Sequence, residues 1–194
     1  TGGNVSFYNE NPDSAIFPSP IIGMLGLIED VENHTTTPGL KSEGDVLIYI
    51  GADRKGLGAT EYLKVIHGLT TGDSPELDID FEVKLQNALL EAIQSGLITA
   101  AHDISDGGLS IALAEMCIFG KMGATVDLSV VGGNTHEVLF SEAQSGIVIS
   151  VDAANFDQVM THFEDADIPA YKLGEAGGYD LLISGLDALE VAEM

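Results

Sequence analysis

The chain has 194 residues, 45% of them apolar, so it can form one domain with a sizeable core or one domain plus part of another. It carries 31 acidic residues and only 7 basic ones, which gives a net charge of −24. This charge argues against nucleic-acid binding through phosphate contacts and against docking on an anionic membrane. An anionic substrate would have to be held by backbone N–H groups, metal ions or lysines from elsewhere.

The first part of the chain predicts loops followed by one strand. Residues 1–20 contain Gly-Gly, Asn-Pro and Pro-Ser-Pro, all typical of loops. Because the chain begins with Thr1 inside such a loop, we expect it to be a piece of a longer protein. Residues 21–29 are mostly Ile, Leu and Met and predict a buried strand, with close backbone approaches at Gly23 and Gly26.

A polar linker over residues 30–44 follows and includes Thr-Thr-Thr-Pro-Gly. Polar segments rich in Gly and Pro are where domain boundaries usually fall. We therefore expect residues 1–40 to end one domain and residues 41–194 to form the next.

From residue 45 onward, apolar runs of strand length alternate with amphipathic stretches of helix length. Strands are predicted at 45–51, 99–104, 123–128, 146–151, 169–173 and 180–184. Helices are predicted at 59–67, 80–95, 107–119, 134–141 and 153–164. Interleaving of this kind is typical of an α/β domain, here a layered α+β arrangement with a mixed β-sheet and packed helices, in which the two closing strands pair.

Two of these helices have informative faces. Helix 80–95 carries an apolar stripe that repeats every four residues and ends before Gly96, with these members: Leu85, Leu89 and Ile93, widened by Leu90. Helix 107–119 is almost wholly apolar, which predicts that it is buried.

The single cysteine, Cys117, lies in this apolar helix. It cannot form an internal disulfide, which fits a reducing compartment, and without a nearby His it is interpreted as a buried hydrophobe rather than a nucleophile. No stretch reaches the roughly 18 apolar residues that span a membrane, and no secretion signal pattern is present. We therefore expect a cytoplasmic location.

The most informative motif is the opening run Gly-Gly-Asn-Val-Ser-Phe-Tyr-Asn-Glu, residues 2–10. The glycines let a backbone approach a ligand closely and offer N–H groups to phosphate oxygens. Asn4 offers an oxygen to Mg²⁺, and Ser6 places a hydroxyl on the same side if the segment is extended. From the residues alone, a purely structural Gly-Gly turn remains an alternative.

This run, with Pro-Ser-Pro-Ile-Ile-Gly at 18–23, resembles a signature of the synthetase subunit of phosphoribosylformylglycinamidine synthase. The resemblance implies that Gly3 contacts ATP, Asn4 binds Mg²⁺ and Ser6 contacts the formylglycinamide ribonucleotide substrate. It covers the whole chain, and it implies that residues 1–40 end an ATP-binding domain like the N-terminal domain of aminoimidazole ribonucleotide (AIR) synthase. Residues 41–194 would then form a domain like the C-terminal domain of that enzyme.

A second motif, Ala-His-Asp-Ile-Ser-Asp-Gly-Gly-Leu at 101–109, stands where a strand leads into the apolar helix. A helix N-terminus flanked by Gly107 and Gly108 can hold an anion, but Asp103 and Asp106 would repel a phosphate unless Mg²⁺ lay between them. The alternative is a turn in which Ser105 or Asp106 caps the helix and the Asp side chains hold backbone N–H groups.

His102, in the same motif, is either a base or a structural histidine. The motif resembles the second C-terminal-type domain of the same family, where it is a pseudo-symmetric copy of the substrate-phosphate site. The resemblance implies that the turn is structural or holds an auxiliary nucleotide.

A third motif, Leu-Phe-Ser-Glu-Ala-Gln-Ser-Gly, covers residues 139–146. Members of the family usually carry Glu-Ser-Gln-Ser followed by Arg here, and Arg binds phosphate better than any other side chain. Gly146 stands in place of that Arg. We therefore expect a weakened phosphate site in this domain.

The resemblance implies a ligase of purine biosynthesis that takes ATP, Mg²⁺ and ammonia from a partner glutaminase and turns formylglycinamide ribonucleotide into the amidine. The implied partners are the upstream half of the same enzyme, the glutaminase and small accessory subunits. On this basis we expect the isolated chain to be inactive. Two alternatives remain: a related superfamily member such as aminoimidazole ribonucleotide synthase, and a non-catalytic scaffold or auxiliary nucleotide-binding module.

Overall fold

The computed structural model describes residues 2–3, 10, 12–15, 21–53 and 55–194. Seven strands occur in this part of the chain: β1 Val46–Gly51, β2 Ala100–Asp103, β3 Ala124–Val126, β4 Gly146–Val151, β5 Ala170–Ala176, β6 Asp180–Ile183 and β7 Leu189–Glu190. Five α-helices accompany them: α1 Glu61–His67, α2 Ile79–Gln94, α3 Gly108–Gly120, α4 Thr135–Phe140 and α5 Phe156–Asp165. The predicted helices and strands after residue 45 are thus confirmed, with ends shifted by a few residues.

The strands form one mixed sheet in the order β2-β4-β1-β5-β3-β6-β7. Neighbours run antiparallel, except that β3 and β6 run parallel. The predicted α/β class with a mixed sheet is confirmed, and β1 lies inside the sheet as expected.

The predicted pairing of the two closing strands is wrong, because β3 lies between β5 and β6 and pairs with both. Two glycines allow this close insertion. A Cβ on Gly174 of β5 would lie 1.9 Å from the Thr125 carbonyl oxygen, and a Cβ on Gly123 would lie 2.3 Å from the Asp180 carbonyl oxygen. Strand order depends on such contacts between distant segments, which a linear pattern of apolar residues does not encode.

The sheet separates two hydrophobic cores, and β1 contributes to both. Since successive side chains of a strand point to opposite faces, Leu47 and Tyr49 pack with α3 and α4, whereas Val46, Ile48 and Ile50 pack with α2 and α5. Every residue of β1 is buried. This two-sided burial explains why its sequence is a continuous apolar run rather than an alternating one.

Helix α2 begins at Asp78, whose carboxylate accepts the Phe81 N–H at 3.0 Å, and it ends before Gly96, which has a positive φ of 70°. The predicted stripe is confirmed in part. Leu85 is fully buried, Leu89 and Ile93 pack at the edge of the core, and Ala88 and Ala92 complete the buried face. Leu90 does not belong to it, since 48% of its surface is exposed.

Helix α3 is buried along one face only. Leu109, Leu113 and Met116 are inaccessible, whereas Phe119 and Ile111 on the other side are 60% and 43% exposed. The prediction of a wholly buried helix was therefore wrong for this outer face. Cys117 lies on the buried face, where desolvation raises the pKa of its thiol to about 11, so the thiol stays neutral and acts as a hydrophobe, as predicted.

The predicted strand at 21–29 does not form. Ile21 and Leu25 are fully exposed, and nothing approaches within 4 Å of the Cβ positions of Gly23 and Gly26. A strand needs a neighbour for its backbone hydrogen bonds, and the described part of the chain provides none beside this segment.

Residues 36–40 of the polar linker pack onto the domain. The Thr36 hydroxyl donates to the Thr99 carbonyl at 3.1 Å, and Leu40, 3% exposed, donates its N–H to the Met116 carbonyl. The domain boundary between residues 40 and 41 stays a prediction. In the described residues, no helix has the length and hydropathy to cross a membrane.

Candidate functional site

The turn between β2 and α3 brings the second motif to one end of the sheet. Gly107 precedes α3 with φ 82°, and Gly108 opens the helix with φ 76°. A side chain at Gly108 would lie 2.7 Å from the Leu139 carbonyl oxygen and the Phe140 backbone. The second glycine is therefore required by close packing against the third motif.

A single carboxylate oxygen ties this turn to helix α1. Oε1 of Glu142 accepts the N–H of Gly107 at 2.8 Å and the N–H of Glu61, the first residue of α1, also at 2.8 Å. Two helix N-termini therefore converge on one negative charge supplied by the chain itself. This role of Glu142 was not predictable from the third motif, because its two partners lie 35 and 81 residues away.

This arrangement corrects the capping prediction. Neither the Ser105 nor the Asp106 side chain caps α3 among the hydrogen bonds of the described residues. Ser105 contributes only its carbonyl, which accepts the Gly108 N–H at 3.1 Å. The carboxylate of Glu142 from the third motif takes the place of a local cap.

His102 lies at the end of β2 with 12% of its side chain exposed. Its Nδ1 is 2.7 Å from the Asp103 carbonyl oxygen, and its Nε2 is 3.1 Å from a carboxylate oxygen of Glu115 on α3. Both ring nitrogens thus face oxygen atoms of the chain, so the imidazole links β2 to α3. The geometry favours the structural interpretation of His102 over the base.

Asp103 and Asp106 are both exposed. The nearest recorded contact of the Asp103 carboxylate is to His102, at 3.7 Å. Asp106 lies near Lys64, whose pKa is raised chiefly by its hydrogen bond to Glu61 and further by the charges of Asp106 and Glu142. One lysine therefore stands among three carboxylates, which leaves the local potential negative.

An open apolar cavity of about 420 Å³ adjoins the turn. Tyr62 and Phe140 line one side with their rings stacked 4.7 Å apart, and the Tyr62 hydroxyl lies 3.0 Å from Nδ1 of His136. Val65, Ile66 and Ile111 line the rest, with Asp106 and Gly107 at the rim. This surface suits a flat apolar group better than a phosphate.

Gly146 opens β4, where it is buried and pairs with Gly51 of β1. A Cβ on Gly51 would lie 2.1 Å from the Ser145 carbonyl oxygen, so the two strands are unusually close at this point. Gly146 is thus part of the packed sheet and supplies no charge.

The opening run contributes little to the described structure. Gly3 is exposed, with no atom within 4 Å of its Cβ position, while Asn4 and Ser6 lie outside the described residues. Gly3, the described member of the predicted ATP and Mg²⁺ site, therefore has no contact with the turn at 102–108. Within the described ranges, no group of three or more His, Cys, Asp or Glu side chains is arranged to hold a metal ion.

A mixed sheet with a helical layer on each face defines the structural class of this chain, and its family follows from the sequence. Residues 42–182 match the family "AIR synthase related protein, C-terminal domain". This match covers more than half of the chain, so the chain belongs to that family.

More specific similarity comes from curated relatives. The chain is 43% identical over 178 residues to the phosphoribosylformylglycinamidine synthase subunit PurL of Symbiobacterium thermophilum, which is 90% of this chain and 23% of the relative. It is 42% identical over 183 residues to the PurL of Moorella thermoacetica, which is 94% of this chain and 25% of the relative. The chain thus spans about a quarter of the length of the relatives it matches.

Solved structures agree on the fold. Thermotoga maritima PurL complexed with FGAR superposes with a TM-score of 0.71 at 19% identity, over 83% of this chain and 29% of that one. A thiamine-monophosphate kinase from Stenotrophomonas maltophilia gives a TM-score of 0.53 at 18% identity, over 79% of this chain and 54% of that one.

Proposed function

We propose that this chain is part of an ATP-dependent ligase of purine biosynthesis that converts formylglycinamide ribonucleotide to formylglycinamidine ribonucleotide with glutamine-derived ammonia. The observation that carries this proposal is the 43% identity to a phosphoribosylformylglycinamidine synthase subunit over 90% of the chain. Thermotoga maritima PurL shares the fold of this chain and has been solved in complexes with ATP and with FGAR. These two ligands support ATP and formylglycinamide ribonucleotide as the substrates in this proposal.

In this proposal the opening run is the chain's own contribution to the active site. Gly3 would approach ATP, the Asn4 oxygen would ligate Mg²⁺, and the Ser6 hydroxyl would orient the substrate. Mg²⁺ supplies charge neutralisation in phosphoryl transfer when bound. In this proposal the upstream part of the longer protein supplies further Mg²⁺ ligands.

The domain from residue 41 onward acts as a scaffold in this proposal. The cationic group expected at position 146 is replaced by a buried glycine, and the Gly107 N–H is already bonded to Glu142. We therefore place no chemical step in the turn at 102–108. A cytoplasmic location and association with a glutaminase and small accessory subunits belong to the proposal as well.

The test has two parts. The isolated chain with ATP, formylglycinamide ribonucleotide, ammonia and Mg²⁺ is expected to form no product. In the longer polypeptide that contains this chain, Asn4→Ala should lower kcat by about tenfold to a thousandfold and shift the Mg²⁺ dependence. Asn87→Ala, which removes an exposed asparagine of α2 outside this run, is the matched control and should leave both unchanged; equal effects at the two positions would contradict the proposal.

A second candidate function is an auxiliary nucleotide-binding module. The observation that favours it is the apolar cavity next to the N-terminus of α3, which could take a base. Titration with Mg-ADP followed by calorimetry tests this function. Micromolar binding that is lost in Asp106→Ala would support it, whereas no binding would leave the turn as a structural connection.

A further inference from the structure

The charge of this chain is uncompensated in the folded state. All 31 acidic residues lie in the described part of the chain, and Asp45 is the only buried one. Asp45 is held by the hydroxyls of Thr99 at 2.8 Å and Ser150 at 3.3 Å. The other carboxylates are at least partly exposed to solvent.

Cationic partners are few. Among the described residues, four lysines form ion pairs with carboxylates: Lys55 with Asp53, Lys64 with Glu61, Lys84 with Asp167 and Lys172 with Glu175. These pairs lie at the surface, where each stabilises a fold only slightly. Among the described residues, carboxylates therefore far outnumber the lysines that pair with them.

The outer surface of the α2/α5 layer is rich in acidic residues. The segment 73–82 carries five carboxylates and no basic residue, and α5 with its following turn carries four. The two helices pack side by side over the sheet, and Lys84 is the only lysine they carry. Folding brings these charges onto one face, whereas the unfolded chain spreads them out.

We propose that the folded state of this chain depends on bulk salt, with mobile cations screening the carboxylate surface. Charge repulsion opposes a compact state when net charge is far from zero. The screening length is about 10 Å at 0.1 M salt and about 3 Å at 1 M. Carboxylates separated by a distance between these two lengths repel one another at 0.1 M salt and are screened from one another at 1 M. This inference is independent of the proposed reaction.

The experiment uses thermal unfolding of the 194-residue chain, followed by far-ultraviolet circular dichroism, in KCl. Between about 0.1 M and about 2 M KCl the midpoint is expected to rise by at least about 15 °C. Sucrose at about 1 M, which favours compact states without screening charge, should give a much smaller rise.

A charge-neutralised variant separates screening from other effects of salt. Eight exposed carboxylates without a recorded partner are replaced by Asn or Gln: Asp73, Glu76, Asp80, Glu91, Asp157, Glu164, Asp165 and Asp187. This variant should be more stable than the parent at low salt and gain less than about half as much from KCl. The matched control exchanges Asp and Glu at the same positions, which keeps the charge and should keep the full salt response.

Three results would overturn the proposal. The first is equal salt dependence in the neutralised variant and the charge-preserving control. The second is a midpoint that does not change between low and high KCl. The third is a chain that stays unfolded at high KCl but folds when a polycationic peptide is added, which would assign the acidic surface to a basic partner instead.

Discussion

Residues 21–28 and strand β1 are both short apolar segments, yet they have opposite fates. The first segment, Ile-Ile-Gly-Met-Leu-Gly-Leu-Ile, is exposed along its length and forms no strand. The second, Val46–Gly51, is fully buried and pairs with β4 on one side and β5 on the other. Composition alone does not make a strand, because the backbone needs neighbours and the side chains need surfaces on both faces.

The largest expected effect comes from shortening one leucine side chain in each of these two segments. Leu47→Ala removes a fully buried side chain from the core beneath α3 and should lower the free energy of unfolding by about 3 kcal/mol. Leu25→Ala in the exposed segment should change it by less than about 0.5 kcal/mol. Urea denaturation of both variants measures the difference, and similar losses would show that residues 21–28 pack in solution.

Glycine substitutions sharpen the same contrast. Gly51→Ala places a methyl group 2.1 Å from the Ser145 carbonyl oxygen at a φ of 128° and should cost about 2–3 kcal/mol, because both strands have to shift. Gly26→Ala meets no atom within 4 Å and should be close to neutral. Thermal unfolding at fixed salt provides the comparison, and a tolerated Gly51→Ala would mean that β1 and β4 are less tightly joined at this end.

The convergence of two helices on one carboxylate predicts a smaller effect. Glu142→Ala leaves the N–H groups of Gly107 and Glu61 without their acceptor and should cost about 1–2 kcal/mol. Glu142→Gln keeps an acceptor oxygen and should recover part of this loss. Glu76→Ala, in an exposed loop, is the control, and hydrogen exchange at α1 should increase only in the Glu142 variants.

The last effect is absent at neutral pH and concerns Cys117. Its pKa is raised from 9.0 to about 11 by desolvation, so the folded state retains the thiol proton that the unfolded state releases. The contribution of this thiol to the free energy of unfolding is fully present below pH 9 and is lost as the pH rises towards 11. The parent should therefore lose more stability over this range than Cys117→Ala, and a parallel decline in the two would contradict the burial of the thiol.

Thiol labelling compares the buried core with the exposed segment 21–28. At pH 8 the thiol of Cys117 should react with a disulfide reagent only as fast as the chain unfolds. A cysteine at position 25, introduced by Leu25→Cys into Cys117→Ala, should react at once. Equal rates would remove the distinction between the exposed segment and the core.

Much of the fold follows from local sequence. Asp78 and Gly96 mark the ends of α2 through a side-chain cap and a positive φ, and both effects act within a few residues. The order of β5, β3 and β6 was not predictable, since it depends on contacts at Gly123 and Gly174 between segments about 50 residues apart. The same reason explains why Leu90, placed on the stripe by its spacing, lies outside the core.

The candidate site divides in the same way. The glycine turn at 107–108 was predicted from the sequence, and three sequence motifs carried the resemblance to the synthase family. It did not indicate that Glu142 occupies the N-termini of α1 and α3, because a carboxylate in a motif carries no information about which N–H groups it will meet.

The sequence by itself determined the five α-helices and, apart from the short β7, the strands after residue 45, together with the family and the extreme charge, because periodicity, capping and composition act locally or add over the whole chain. Only the tertiary structure decided which apolar run became a central strand and which stayed exposed. It also decided that one carboxylate joins two helices, and that the acidic residues of α2 and α5 share one face. Each of these outcomes requires segments distant in the chain to meet, so their cause is packing and electrostatics in three dimensions.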